Sequence, residues 1–222
     1  MRHLTIALSL FFVIATSLAW EARAPGSAHG EAATATTADA VTIVAAVYGD
    51  ALKRRPPRDT QTLILTRLVE RYIAAHGLQA TARELNTHGV LIQMRLESQL
   101  GDGYPDAAAM EGDERAHFEA YREAMNRAMI EQWKFYKALH AQYGGGVILE
   151  NSGAEPVEAL RRFLEARHAA GDFEFFDREQ EAYFWAHFRA DHHQRFLPEA
   201  EAEQAFDFPP WSKGEGQLNV KR

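Results

Sequence analysis

The chain has 222 residues, of which 46% are hydrophobic and 25% charged, with a net charge of −7. This is the make-up of a folded chain of one sizeable or two small domains, not of a disordered one. The acidic balance, with no lysine–arginine stripe, argues against nucleic acid as a partner, and the lack of cysteine leaves neither disulfides nor a lipid-modified cysteine anchor.

Arg2 and His3 precede an uncharged run from residue 4 to 19, where Ser17 and Ala19 place small residues at the positions a signal peptidase inspects. The expectation is a cleaved secretory signal over residues 1–19, with a second candidate site after Ala32 and an uncleaved anchor as the alternative. No stable membrane span is expected after cleavage. Residues 20–40, small and polar, read as a flexible linker. Residues 41–47 are apolar and rich in β-branched side chains, the pattern of a short buried strand closed by a turn at Gly49 and Asp50. Residues 53–58 form the densest basic run, and the prolines at 56 and 57 predict an irregular, exposed elbow. An anionic-ligand patch is the functional alternative there.

Asp59 is positioned to cap a first helix carrying Leu63, Ile64, Leu65, Leu68, Val69, Tyr72 and Ile73, and Gly77 to end it in the left-handed conformation. Thr81 and Glu84 have capping-box spacing for a second helix with Leu85, Leu91, Ile92, Leu96 and Leu100. Gly89 inside it costs about 1 kcal/mol against alanine. Residues 101–112 break the pattern. From 113 to 143 no glycine or proline intervenes, and Phe118, Tyr121, Met125, Met129, Trp133, Tyr136 and Tyr143 recur at helical spacing. Such a stripe is ordinarily core, but methionine repacks readily around different partners, so it is also a candidate apolar groove.

Three glycines at 144–146 stop that helix, and residues 147–149 read as a second short strand, pairing with residues 41–47. These glycines follow a helix and precede no Lys-Ser/Thr, which rejects a phosphate loop. Residues 155–170 form a further helix begun at Pro156 and ended by Gly171. Asp177 caps a last helix running to about His193, with Tyr183, Phe184, Trp185 and Phe188. Residues 198–222 read as an acidic and aromatic tail, in which residues 206–211 pack over the helical body or plug a groove. The predicted fold is mainly α: one lobe of about five helices over residues 41–197, with a small two-stranded β element.

Chemistry is thinly represented. His187, Asp191, His192 and His193 are the densest metal-type set, and His187 and Asp191 stand four apart, sharing a face if helical. The plain alternative is a polar helix end whose histidines favour the negative pole of the helix dipole. Ser152 lacks the Gly-x-Ser-x-Gly elbow of a nucleophile. No catalytic residue and no cofactor is expected.

The residues from Ala46 to Leu52, an apolar helix after them, and the Gly77-Leu78-Gln79-Ala80-Thr81-Ala82-Arg83-Glu84-Leu85 junction resemble the N-terminal module of SurA-like and PrsA-like exported folding factors. Residues 173–196, with an acidic cap before Ala182-Tyr183-Phe184, resemble the same module's closing helix. Tyr48 stands where that family has asparagine. The resemblance implies a periplasmic chaperone-like lobe that holds unfolded or extended polypeptide, with Met125, Met129, Trp133, Tyr136, Tyr183 and Trp185 as groove candidates. The family's prolyl isomerase activity belongs to a separate parvulin domain, for which the residues after Phe196 leave no room. Two alternatives stand beside this reading: a periplasmic metal-binding protein using His187, Asp191 and His192, and a family member with residual isomerase activity.

Overall fold

A computed structural model describes residues 42–100, 109–150 and 153–209. The expected signal and linker over residues 1–40, the break at 101–105, Ser152 and Trp211 lie outside them. The described chain is mainly helical, in the order β1 (Ile43–Val47), β2 (Asp50–Lys53), α1 (Pro57–His76), α2 (Ala82–Leu100), α3 (Gly112–Tyr143), β3 (Ile148–Glu150), β4 (Gly153–Glu155), α4 (Val157–Ala169), β5 (Phe173–Phe175), α5 (Arg178–Phe188) and the short α6 (Glu199–Gln204). No helix among the described residues is long and apolar enough to cross a membrane.

Four successive residues of β1, Val44 to Val47, are buried, which explains its continuous apolar run: it is the middle strand of an antiparallel sheet ordered β2-β1-β5. The expected partner, residues 147–149, instead forms a separate two-stranded hairpin, β3 with β4. Local chemistry decides this, because Tyr48 (φ 50°) and Gly49 (φ 84°) make a two-residue turn whose twist suits a hairpin, so β1 folds straight back on β2. A left-handed tyrosine costs roughly 1–2 kcal/mol. The Arg71 guanidinium, 4.1 Å from the Tyr48 ring centroid, offsets part of that cost.

Residues 54–56 are exposed and without regular structure, as expected, but the irregular stretch is shorter than residues 53–58, because Lys53 ends β2 and α1 begins at Pro57. Pro57 is the first residue of α1, where a missing N–H is no loss, and Asp59 lies inside the first turn instead of capping it. Gly77 ends α1 in the left-handed region (φ 64°, ψ 35°) as expected. The Asp177 carboxylate caps α5 by accepting from the backbone N–H groups of Glu179 and Gln180. These bonds, the Gln180 amide first, hold its carboxyl below the usual range.

The core lies where α1, the C-terminal half of α3, α4 and α5 meet the sheet. Tyr72 of α1, Phe135 of α3 and Phe163 of α4 form an edge-to-face triad with ring centroids 5.3–5.5 Å apart. Phe173, Phe175, Phe184 and Trp185 join β5 to α5 through tilted and edge-on ring contacts. The boundary expected at residue 198 is not a packing boundary: Ala202 and Phe206 are buried in the same core, Phe206 against the His140 ring. Phe208 is exposed.

The segment before α6 is fastened to the glycine loop that follows α3. Leu197 N–H donates to Val147 O, Phe196 bridges to Ile148, and the Phe196 ring lies over Gly146 so closely that a Cβ there would sit 2.5 Å from it. Gly146→Ala therefore has to displace the ring. We expect a loss of about 1–3 kcal/mol, the usual cost of overpacking, seen as a lower melting temperature. Gly171→Ala, in open space but with positive φ, is expected to cost no more than about 1–2 kcal/mol.

Candidate functional site

Two surfaces carry the residues singled out by the sequence. The first is an arm made by α2 and the N-terminal half of α3, antiparallel to each other. Its root is tightly specified. The Thr81 hydroxyl accepts from Glu84 N–H, and Thr81 N–H donates back to Glu84 Oε2 at 2.8 Å, completing the capping box. Lys134 Nζ of α3 then donates to both Glu84 Oε2 (2.6 Å) and Gln79 O (2.9 Å), while Ala80 N–H donates to Glu131 Oε1. Partial burial by itself would raise the Glu84 carboxyl; the Lys134 and Thr81 bonds together overcome it and hold the group below its ordinary value.

Further out, His88 and Asn126 are buried between the two helices, with Nδ1 2.9 Å from Asn126 Oδ1. Gly89 gains a reason here: a Cβ at this position would lie 3.2 Å from Asn126 Nδ2, so glycine permits the close approach of α2 to α3. Arg122 donates to Gln93 Oε1 one level higher. The outer face of α2 carries an apolar cluster in its middle, flanked by exposed Asn86, Thr87, Glu97 and Ser98. Val90 is 52% exposed, Leu91 39% and Met94 61%, and their three- and four-residue spacing puts Met94 beside both others. The His88–Asn126 and Gln93–Arg122 pairs set a register in which Tyr121, 37% exposed, stands level with Met94.

The six groove candidates do not form one groove. Met125, Met129 and Trp133 are half-buried along α3, Trp133 beneath the Lys137 ammonium at 5.0 Å. Tyr136 is core, and burial pushes its phenol far up. Trp185 is also core, covered by the Arg189 guanidinium, whereas Tyr183 is exposed. Both lie on α5, which packs against α1, α4 and β5, while α2 packs on α3. Val90 and Met94 were missed because a sequence reading assigns aliphatic residues at helical spacing to the core, and only the absence of a covering element marks them as exposed.

The second surface holds the histidines. Helix α5 stops at Phe188 and not near His193, because polar side chains take over the backbone: Asp191 Oδ1 accepts from His193 N–H (2.9 Å), and His192 Nε2 lies 2.9 Å from His187 O. His187, Asp191 and His192 therefore do not share a helical face. His187 Nε2 meets Glu155 Oε1 at 3.0 Å and Asp191 pairs with the His193 ring. Among the described residues no group of three or more histidines and carboxylates converges to hold a metal, so the metal-binding alternative has no coordination shell there. A neighbouring cavity of about 230 Å³, lined by Val157, Arg161, Phe188, His192 and Phe196 among others, mixes both signs of charge with apolar walls.

Buried His88 and partly exposed His187 respond to pH in opposite senses. Burial holds His88 below its ordinary 6.5. The unfolded chain then takes up the proton first, and the stability His88 contributes is lost as pH falls below about 6.5. The hydrogen bond that His187 donates to the Glu155 carboxylate raises its pKa above 6.5, so its contribution is present below that value and fades as pH rises through the raised pKa. Acidification from about pH 7 to pH 5 should loosen the α2–α3 arm while leaving the β4–α5 corner closed. Backbone amide exchange, corrected for intrinsic rates, is expected to show this split, and His88→Gln should abolish the arm's acid sensitivity. No family model, no curated protein and no solved structure matches this chain.

Proposed function

We propose that the protein is an exported, non-catalytic folding factor of the SurA-like and PrsA-like kind, holding unfolded or extended polypeptide against the apolar face of its α2–α3 arm. The observation that carries the reading is the exposed cluster of Val90, Leu91 and Met94 with Tyr121 at the same level. Large side chains of this kind grouped on one helix face mark an interaction surface more often than a solvated one. Methionine adapts to clients of different shape, and Met125, Met129 and Trp133 lie half-buried along α3 between this level and the head. The arm is anchored at one end, by Lys134, Glu84 and Gln79, which leaves its outer face open to a partner. Export rests on the uncharged run over residues 4–19 and the small residues Ser17 and Ala19 at its end, and the choice of client class rests on the resemblance at residues 46–52 and 77–85.

Light scattering tests this directly. Protein beginning at residue 33, mixed with an unfolded outer-membrane-type client, is expected to suppress aggregation at near-stoichiometric ratios. Val90→Ser with Met94→Ser should remove most of that suppression and change stability by less than about 0.5 kcal/mol, as is usual for exposed positions. Failure of the unsubstituted protein to delay aggregation would end the proposal.

A further inference from the structure

The basic run at residues 53–58 has no part in the apolar arm, and the sheet gives it a different context. In the order β2-β1-β5, β2 is an edge strand hydrogen-bonded to β1 alone among the described residues. The ladder shows which of its backbone groups remain unused. Tyr48 N–H donates to Asp172 O and Phe176 N–H to Val44 O, so residues 44, 46 and 48 turn their main-chain groups toward β5. Antiparallel alternation then turns those of Ala45 and Val47 toward β2, where they face Leu52 and Asp50. Ala51 lies between these two bonded positions, and its N–H and C=O point to the open side. Past a bulge, Arg54 N–H returns to Thr42 O, which leaves Lys53 facing outward like Ala51. Two exposed residues two apart thus offer a strand-spaced set of free donors and acceptors.

Cations are in excess around this edge, with Asp59 an exposed carboxylate beside them. Asp50, the strand's own carboxylate, is paired with Arg67, and Arg54 is paired with Asp177. Lys53, Arg55 and Arg58 are exposed, and among the described residues none of them has a carboxylate within ion-pair distance. Lysine at an edge discourages pairing with a like strand; the same charge selects a strand of opposite sign. We infer that the β2 edge docks an extended, acidic peptide segment, which adds as a fourth strand through Ala51 and Lys53 and sets its carboxylates against Lys53, Arg55 and Arg58. Main-chain bonds supply affinity in this mode and alternate side chains supply selectivity. The site is independent of the apolar arm and stands or falls apart from it.

The test uses the full chain and two labelled peptides, one alternating glutamate with valine and one alternating lysine with valine, followed by fluorescence anisotropy. The acidic peptide is expected to bind, more weakly as salt rises, and the basic one not to. Lys53→Glu with Arg55→Glu should weaken binding at least about tenfold. Ala51→Pro, which removes an outward N–H and spares the hairpin's own bonds, should do the same at unchanged melting temperature. Exchange of the Ala51 and Lys53 amides should slow when the acidic peptide is added. Val90→Ser with Met94→Ser should leave all of this unchanged, which separates the edge from the arm. Equal binding of both peptides, binding that survives Ala51→Pro in a folded protein, or amides already protected without peptide (the edge then being covered by this chain or a second copy) would each overturn the inference. If Ala51→Pro unfolds the protein, the charge reversal and the amide exchange decide.

Discussion

The contact on which the architecture depends is the meeting of Tyr72, Phe135 and Phe163. These rings come from α1, α3 and α4, and edge-to-face packing of buried aromatics is directional as well as apolar. Helix α3 is 32 residues long, about 48 Å at 1.5 Å per residue, far more than the head can cover. Fixing its C-terminal half through Phe135, with Ile130 and Leu139 also buried, decides the direction in which the other half leaves. The arm is thus a consequence of core packing around one end of a helix.

Attachment of α2 follows from the same constraint. It has no place in the head's core, and its position is set by bonds from α3: Lys134 at the root, Asn126 at the middle, Arg122 beyond. A polar seam between two helices specifies register more sharply than apolar contact alone, since a shift of one turn would strand buried His88 and Asn126 without each other. That seam frees the opposite face of α2 from any packing duty. The seam is mixed, with Leu85 and Ile92 half-buried at helical spacing from His88 and Gln93, while Val90, Leu91 and Met94 stay exposed.

At the other end of the molecule, closure is made by small residues and one ring. Gly144 stops α3 with a positive φ, and Gly146 accepts the Phe196 ring with no space for a methyl group. The Glu158 carboxylate accepts from Gly146 N–H at 2.6 Å, and Arg195 pairs with Glu150. The chain after α5 is thereby drawn back across the head until Ala202 and Phe206 reach the core.

Much of the fold was legible in the sequence because it is governed by local chemistry. The left-handed glycine at 77, the Thr81–Glu84 box, the Asp177 cap and the uninterrupted run from 113 to 143 each satisfy backbone groups within a few residues, and each stands where the spacing places it. The β1 strand was equally clear from its apolar run. Its partner β5 was not, since strand order depends on which distant segment supplies the matching edge, and the three-residue strand at Phe173–Phe175 carries too short a pattern to be read; β2 follows from the local turn at Tyr48 and Gly49. The same limit governed the candidate site. Sequence spacing put Tyr136, Trp185 and Met125 on one list, but a helix buries different sides along its length as its neighbours change. Tertiary structure alone decided that Tyr136 and Trp185 lie in the core and that Val90, Leu91 and Met94 face solvent: burial is a property of what packs against a residue, and the residue's own identity does not contain it.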